Sequence, residues 1–301
     1  ADLAVETLTS GYATVVTNDK GLYTWADERT LLSHDEVKNA DGTKTFTMRI
    51  AQDLTFSDGS PIRAENYVAA TLVGSSKVMK EGGGGESAGL ALVGYEEFNA
   101  YEGEGNPVPF TGIRLLDEYS FSVTVQEDYA DYYYALRYGA FSPVPVSLYC
   151  GNAAIKDDGQ GAYIEKSFYQ KTEKNGVSSY VSADMLVKNL ANISASAFPY
   201  AGPYVVESYD SAARVATLKR NPRYKGDHRG KASIERISYV KIIPEEQKII
   251  GYTTRNSGGV PKNFRNYFVL KFDKPFTYTA SVTEGNIGNG SLESESKHSG
   301  G

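Results

Sequence analysis

LTFSDGSPIRAENYVAATLVG, residues 54–74, decides how this chain is organised. Leu54, Thr55 and Phe56 end a strand-like run. Ser57-Asp58-Gly59-Ser60 reads as a turn, because an Asp side chain bonds the backbone two residues on and Gly takes a positive φ without steric cost. Pro61 is expected to break any ladder, while Ala64, Tyr67, Val68, Thr71 and Leu72 recur at helical spacing. A strand hands over to a helix here.

Upstream, Asn39-Ala40-Asp41-Gly42 is a hairpin signal, and Phe46, Met48 and Ile50 share one face of the strand that follows it. Residues 1–18 begin with alternating small and apolar residues, and Gly11 with residues 12–16, and residues 21–25, read as short strands around an Asn18-Asp19 turn. Downstream, the glycines at 82–85 lack the Gly-Lys-Ser/Thr ending of a phosphate loop and read as a flexible connection. A short helix is expected within residues 90–101, and a strand pair within 110–125 turning at Asp117-Glu118, its second member alternating from Tyr119. Residues 129–138 read as a helix bearing Tyr132, Tyr133, Tyr134 and Tyr138. Residues 141–146 read as extended, since a residue before proline avoids the helical region. Ser182 is expected to cap a helix reaching Asn192 with Met185, Leu186 and Leu190 as its apolar stripe. Residues 200–206 and 214–219 form a hairpin pattern, 221–227 a compact turn, and 234–243 a last strand closed by Pro244. Residues 285–301, rich in Gly, Ser, Asn and Glu, are expected to be mobile.

The 301 residues suffice for two compact domains or one large one, and a 41% hydrophobic fraction can fill their cores. A formal net charge of -6 argues against a nucleic-acid or anionic-membrane surface. The basic run Lys219, Arg220, Arg223, Lys225, Arg229 and Lys231 reads as a solvated face. Cys150 is the one cysteine, which excludes an internal disulfide and a thiolate metal cluster. No apolar run is long enough to span a bilayer and no signal segment opens the sequence, so a soluble chain is expected. Tyrosine is abundant, 23 against 12 phenylalanines, and its flat apolar face with a polar tip suits binding surfaces as well as sheets.

Catalytic patterns are weak. His34, His228 and His298 stand in unrelated polar surroundings at no metal-ligand spacing. There is no Gly-x-Ser-x-Gly elbow, and the Ser294 to Lys297 Ser-x-x-Lys match has no companion motif. A calcium-loop register around Gly159 and Glu165 would put Ala154 and Lys156 at ligand positions, and so fails. A binding module, rather than an enzyme, with no metal and no cofactor is the expectation.

Five stretches together resemble family 5 of the extracellular solute-binding proteins of ABC-type peptide and nickel importers. They are DGTKTFTMRI at 41–50, LTFSDGSPIRAENYV at 54–68, FSPVP at 141–145, AGPYVV at 201–206 and LKRNPRYKG at 218–226, in the family's order. The resemblance spans roughly residues 1–247. It implies a mixed α/β (α+β) protein with a periplasmic-binding-protein-like lobe made from residues 1–20 and 196–247, an inserted subdomain at 21–195, and an atypical tail at 248–301. The family's second lobe, which supplies much of the ligand cleft, would need far more chain after Pro244 than remains, so a partial chain without that lobe is expected. The implied partners are a peptide or related small solute and a membrane permease, with no nucleic acid. The implied setting is a monomer at the extracellular membrane face, lipid-anchored, or in the periplasm. Binding energy in such proteins comes from backbone hydrogen bonds and aromatic walls, with hinge closure around the ligand. Tyr132, Tyr133, Tyr134, Phe141 and Tyr204 lie at or near the segments where the family's lobes face each other, and Tyr12 lies near the first cleft strands. These six are the candidate ligand contacts. The alternative, that their rings pack the lobe's own core or rim, stays open.

Residues 266–276, NYFVLKFDKPF, also resemble a strand of the N-terminal sandwich of family 92 glycoside hydrolases. That keeps a carbohydrate-active enzyme fragment as an alternative function, with an adhesion or scaffold fragment as a third.

Overall fold

The computed structural model describes residues 2–27, 29–213, 215–228, 230–241 and 268–272. The chain opens in helix α1 (Asp2–Thr9), ahead of the first expected strand. Val5 and Leu8, three residues apart, share a helical face and pack against apolar side chains of the second sheet described below, which alternation alone did not reveal. Strands β1 (Val15–Thr17) and β2 (Tyr23–Trp25) form the expected antiparallel hairpin, its turn held by the Lys20 and Leu22 amides donating to Asn18 Oδ1. Strands β3 (Leu31–Lys38) and β4 (Lys44–Ile50) flank the Asn39-to-Gly42 turn, and Phe46, Met48 and Ile50 of β4 are fully buried.

Within residues 54–74 the strand-to-helix handover holds, with one correction. Pro61 does not end pairing: it forms an isolated antiparallel bridge with Thr55. A missing N–H matters only where the ladder needs it. Here the ladder bonds are carried by neighbours, with Phe56 N donating to Ser60 O and Ile62 N to Leu54 O, each at 2.9 Å. Helix α2 (Ala64–Gly74) follows, its start fixed by the Arg63 amide donating to Asn66 Oδ1 at 2.8 Å. Tyr67 of α2 stacks on Phe121 at 5.6 Å, which lays the helix on the sheet.

Helices α3 (Lys77–Glu81) and α4 (Tyr95–Ala100) lead to β5 (Ile113–Asp117) and β6 (Ser120–Val125). These complete a four-stranded antiparallel sheet in the order β3-β4-β6-β5. The alternation of β6 is not mirrored in burial, because β6 lies between two neighbouring strands and Ser120 and Ser122 are buried with Phe121 and Val123.

The helix expected at 129–138 is split into α5 (Glu127–Ala130) and a 3-10 turn (Ala135–Gly139), which leaves Tyr132, Tyr133 and Tyr134 between them. Helix α6 (Val146–Cys150) follows the extended prolines, and β7 (Ile155–Asp157) pairs with β8 (Ala162–Ile164). Arg114 ties that hairpin to β5, its guanidinium donating to both Asp157 oxygens at 2.9 and 3.1 Å. After the hairpin of β9 (Lys171–Lys174) and β10 (Val177–Tyr180) comes α7 (Val181–Asn192). Ser182 is not its cap: it sits inside the first turn, and its hydroxyl donates to the Phe168 carbonyl. Strands β11 (Tyr204–Asp210), β12 (Val215–Arg220), β13 (Arg236–Lys241) and β14 (Phe268–Phe272) form the second antiparallel sheet in that order. The expected end of the last strand at residues 242–244, the ends of the 266–276 stretch, the Ser294 to Lys297 pair, His298 and the 285–301 segment lie outside the described residues.

Two cores result, a large one under the first sheet and a small one of Tyr204, Val206, Leu218 and Ile237 with Val5 and Leu8 against it. Tyr12 belongs to the large core, and its φ of 56° is left-handed. Its carbonyl accepts from the Tyr67 hydroxyl at 2.8 Å, its hydroxyl oxygen accepts from the Lys225 amide at 2.7 Å, and its ring lies 4.9 Å from that of Tyr224. Beside it the backbones of Gly11 and Gly202 pass so closely that a Cβ on Gly202 would fall 2.3 Å from the Thr9 carbonyl carbon. No helix among the described residues is long and apolar enough to cross a membrane.

Replacing Tyr67 by Phe leaves the buried Tyr12 carbonyl without its donor and should lower unfolding stability by about 1–3 kcal/mol. Tyr133→Phe, on an exposed ring, should stay within about 0.5 kcal/mol. Urea unfolding of the two variants measures the difference, and equal shifts would remove the junction bond from the account.

Candidate functional site

Where the two cores meet, the surface carries a groove of about 1010 Å³, at the upper end of the roughly 300–1,000 Å³ usual for small-ligand sites. One wall is α1 through the start of the following loop: Val5, Glu6, Thr9, Ser10 and Gly11. Gly202 N donates to Thr9 O at 2.8 Å, which pins the end of this helix to the entry of β11.

The second wall is the extended run Ser142-Pro143-Val144-Pro145 with Tyr149 of α6 behind it. Its conformation follows from the prolines, and its position from two clips. Thr14 grips the segment's start, its amide donating to Phe141 O at 2.9 Å and its hydroxyl oxygen accepting from Phe141 N at 2.8 Å. Asn66 of α2 grips the middle: Val144 N donates to Asn66 O at 3.0 Å, and Asn66 Nδ2 donates to Val144 O at 2.9 Å.

The third side is formed by Phe198, Pro199, Tyr200 and Ala201 leading into β11, with Tyr209, Ala216 and Tyr239 from the second sheet. The turn of the 54–74 segment positions it, since Ser57 N donates to Tyr200 O at 2.8 Å and Tyr200 N donates to Ser57 Oγ at 2.9 Å. The Tyr200 hydroxyl donates to Ala195 O at 2.8 Å, and its ring sits 4.9 Å from Phe198.

Five aromatic rings therefore face one groove, those of Tyr149, Phe198, Tyr200, Tyr209 and Tyr239. Among the described lining residues only Glu6 carries a formal charge. Burial pushes the Tyr200 phenol up to about 12 and raises that of Tyr239; burial, and then the nearby Glu6 carboxylate, raises that of Tyr149. These phenols stay neutral donors and acceptors through the physiological range. Among the described residues no group of three or more His, Cys, Asp or Glu side chains is arranged to hold a metal ion.

The six candidate contacts divide sharply. Tyr132, Tyr133 and Tyr134 are 50%, 80% and 42% exposed, and meet edge to face at 4.8 to 5.8 Å, with Tyr23 edge-on to Tyr134 at 6.1 Å. Tyr12, Phe141 and Tyr204 are buried at 3%, 8% and 5% exposure, Phe141 packing edge-on to Phe121 at 5.6 Å and Tyr204 donating to Ile234 O at 3.1 Å. None of the six lines the groove, although the chain neighbours Gly11 and Ser142 do. Of the lining residues not among the sequence candidates, Tyr149, Tyr200, Tyr209 and Tyr239 had one signal in common, the tyrosine excess, whereas Glu6 and Phe198 had none.

The family description that matches is bacterial extracellular solute-binding proteins, family 5 middle, over residues 28–251. Among solved structures, similarity is found to the Bacillus subtilis oligopeptide-binding protein AppA in complex with a nonapeptide, at 14% identity and a TM-score of 0.49, covering 81% of this chain and 36% of that one. Burkholderia pseudomallei OppA gives 15% and 0.45, covering 81% and 38%, and Listeria monocytogenes OppA bound to peptide gives 15% and 0.42, covering 74% and 35%. The chain thus spans little more than a third of the length of these proteins. No curated protein matches the sequence.

A phenol held neutral by burial ionises later in the folded than in the unfolded chain. The stability linked to Tyr200 is therefore complete below about pH 10 and is lost as pH rises toward its folded value of about 12. Denaturant unfolding followed with pH should fall more steeply above about pH 10 for the wild type than for Tyr200→Phe. Parallel curves would mean that the Tyr200 ring is wet.

Proposed function

Because the chain belongs to family 5 of the bacterial extracellular solute-binding proteins, we propose that it is the substrate-binding component of an ABC importer. It captures a peptide, or a related small solute, outside the membrane and delivers it to the permease. The family match over residues 28–251 is the observation that carries this reading. The groove supports it with concave shape, aromatic lining and a few convergent polar groups, the usual attributes of a solute site.

In this reading residues 1–20 with 196–247 form a periplasmic-binding-protein-like lobe, residues 21–195 the inserted subdomain, and residues 248–301 an atypical tail. The chain contributes one lobe, as a partial chain, and works as a monomer, lipid-anchored at the outer face of the membrane or free in the periplasm. The exposed Tyr132, Tyr133 and Tyr134 lie outside the groove and meet only a part of the solute that extends beyond it. Tyr12, Phe141 and Tyr204 act from beneath the surface, by setting the walls that the solute touches.

Calorimetric titration of the chain with a mixed short-peptide library, beside a pool of oligosaccharides, is the direct test. Saturable heat with peptides and none with sugars is expected. Replacing the groove residues Tyr149 and Phe198 together by Ala should weaken peptide binding at least about tenfold, as the loss of a hot-spot aromatic cluster does. Heat with the sugars alone, or with neither pool, would overturn the peptide reading.

A further inference from the structure

The turn of the β9-β10 hairpin carries the one Asn-Gly pair among the described residues, Asn175-Gly176. The register that pairs Lys174 with Val177 leaves these two residues as a loop outside the ladder. Both are exposed, with φ of 53° at Asn175 and 76° at Gly176, and no hydrogen bond among the described residues holds the Gly176 amide or the Asn175 side chain. Other asparagines are spoken for: Asn39, Asn66, Asn99 and Asn221 donate their side-chain amides to fixed acceptors, and Asn106 precedes a proline, which has no amide hydrogen. At Gly176 no Cβ stands beside the nitrogen to hinder its approach to the preceding side chain. All four residues of β9 are exposed, as are Val177 and Ser178 of β10, so opening the tip uncovers no core and costs little.

We propose that Asn175-Gly176 is a site at which the chain modifies itself, converting the asparagine to an acid. The Gly176 nitrogen, its proton taken by solvent, attacks Asn175 Cγ. The new N–Cγ bond closes a five-membered succinimide, the Cγ–Nδ2 bond breaks, and the side-chain nitrogen leaves as ammonia. Water then opens the ring. Cleavage at Cγ leaves an aspartate, and cleavage at the main-chain carbonyl leaves an isoaspartate, whose backbone is one carbon longer. The balance is one water in and one ammonia out, with no oxidant or reductant. Either product adds a negative charge beside Lys174, and the isoaspartate no longer fits a two-residue turn. The base of the hairpin confines the change to its tip, because the Tyr180 amide donates to Glu81 Oε2 at 2.7 Å and Lys171 Nζ donates to Glu102 Oε2 at 3.2 Å. The hairpin thus ages without the rest of the fold, and this holds whatever solute the groove takes.

The test is to hold the full chain at mildly alkaline pH and body temperature, withdraw samples over days, cut them after glutamate and map the fragments by mass spectrometry. The fragment from Lys174 to Glu207 carries Asn175, and fragmentation separates it from Asn189 and Asn192; Asn289, also followed by a glycine, falls in another fragment. Residue 175 should turn acidic before any other described asparagine, as a mixture of aspartyl and isoaspartyl forms. Its rate should lie within about tenfold of that of a free peptide of residues 171–180 kept under the same conditions, the mark of a loop that opens at little cost. Slowing by more than about tenfold relative to that peptide would show that the turn holds the side chain away from the Gly176 nitrogen, and would overturn the proposal. Earlier conversion of another described asparagine would overturn it as well.

Discussion

The carbonyl and the hydroxyl of Tyr12 are bonded to different parts of the chain, the first to Tyr67 on α2 and the second to the Lys225 amide beyond β12. One side chain and its own backbone thus join α2 to the segment that follows the β11-β12 hairpin. A non-glycine residue in the left-handed region costs on the order of 1 kcal/mol, and such a residue persists where its surroundings over-determine it. Here they do: the ring is 3% exposed, Tyr224 lies against it, and Gly11 next to it leaves no room for a side chain beside Ala201 and Gly202. Glycine is needed at 11 for space, whereas Tyr12 holds an awkward conformation for the sake of its bonds.

The groove is a product of that junction. Two sheets with separate cores cannot close against each other everywhere, and what remains between α1, the proline run and the entry to β11 is open to solvent. The first two walls are anchored to different cores. Val5 and Leu8 hold α1 to the small core, while Asn66 on α2 holds Val144. The residues that shape the site are therefore largely not those that line it. Tyr12, Phe141 and Asn66 are buried, and their effect on a solute passes through the placement of Gly11, Ser142 and Val144.

The local fold was largely legible because its signals are local. The Asp41-Gly42 and Asp58-Gly59 turns, the one-sided β4 and the helical spacing after Pro61 each rest on neighbours within a few residues. Failures came where a distant partner decided. Val5 and Leu8 needed the second sheet to show that they share a helical face, and Ser182 turned from capping to the Phe168 carbonyl because the chain brings that group close. The site was less legible for the same reason. Tyrosines adjacent in sequence at 132–134 attracted attention, but the groove gathers Tyr149, Tyr200, Tyr209 and Tyr239 from four separate stretches. Glu6 stands in no motif, and only the three-dimensional arrangement isolates it as the one charge among the groove's described residues.

The proline wall has one more consequence. Pro143 and Pro145 have no amide hydrogen, Val144 N is occupied by Asn66, and the carbonyls of Phe141, Val144 and Pro145 accept from Thr14, Asn66 and Leu148. Although its backbone is extended, only the Ser142 amide and the Ser142 and Pro143 carbonyls are left to offer, too short an edge for a strand ladder. A solute lying along it cannot dock as an added β-strand, the mode in which main-chain pairing gives affinity and fixes a register. Such a wall does not count residues. It can meet solutes of differing length and composition with the same smooth face, and it gives an unfolded segment of another molecule no template on which to begin a sheet.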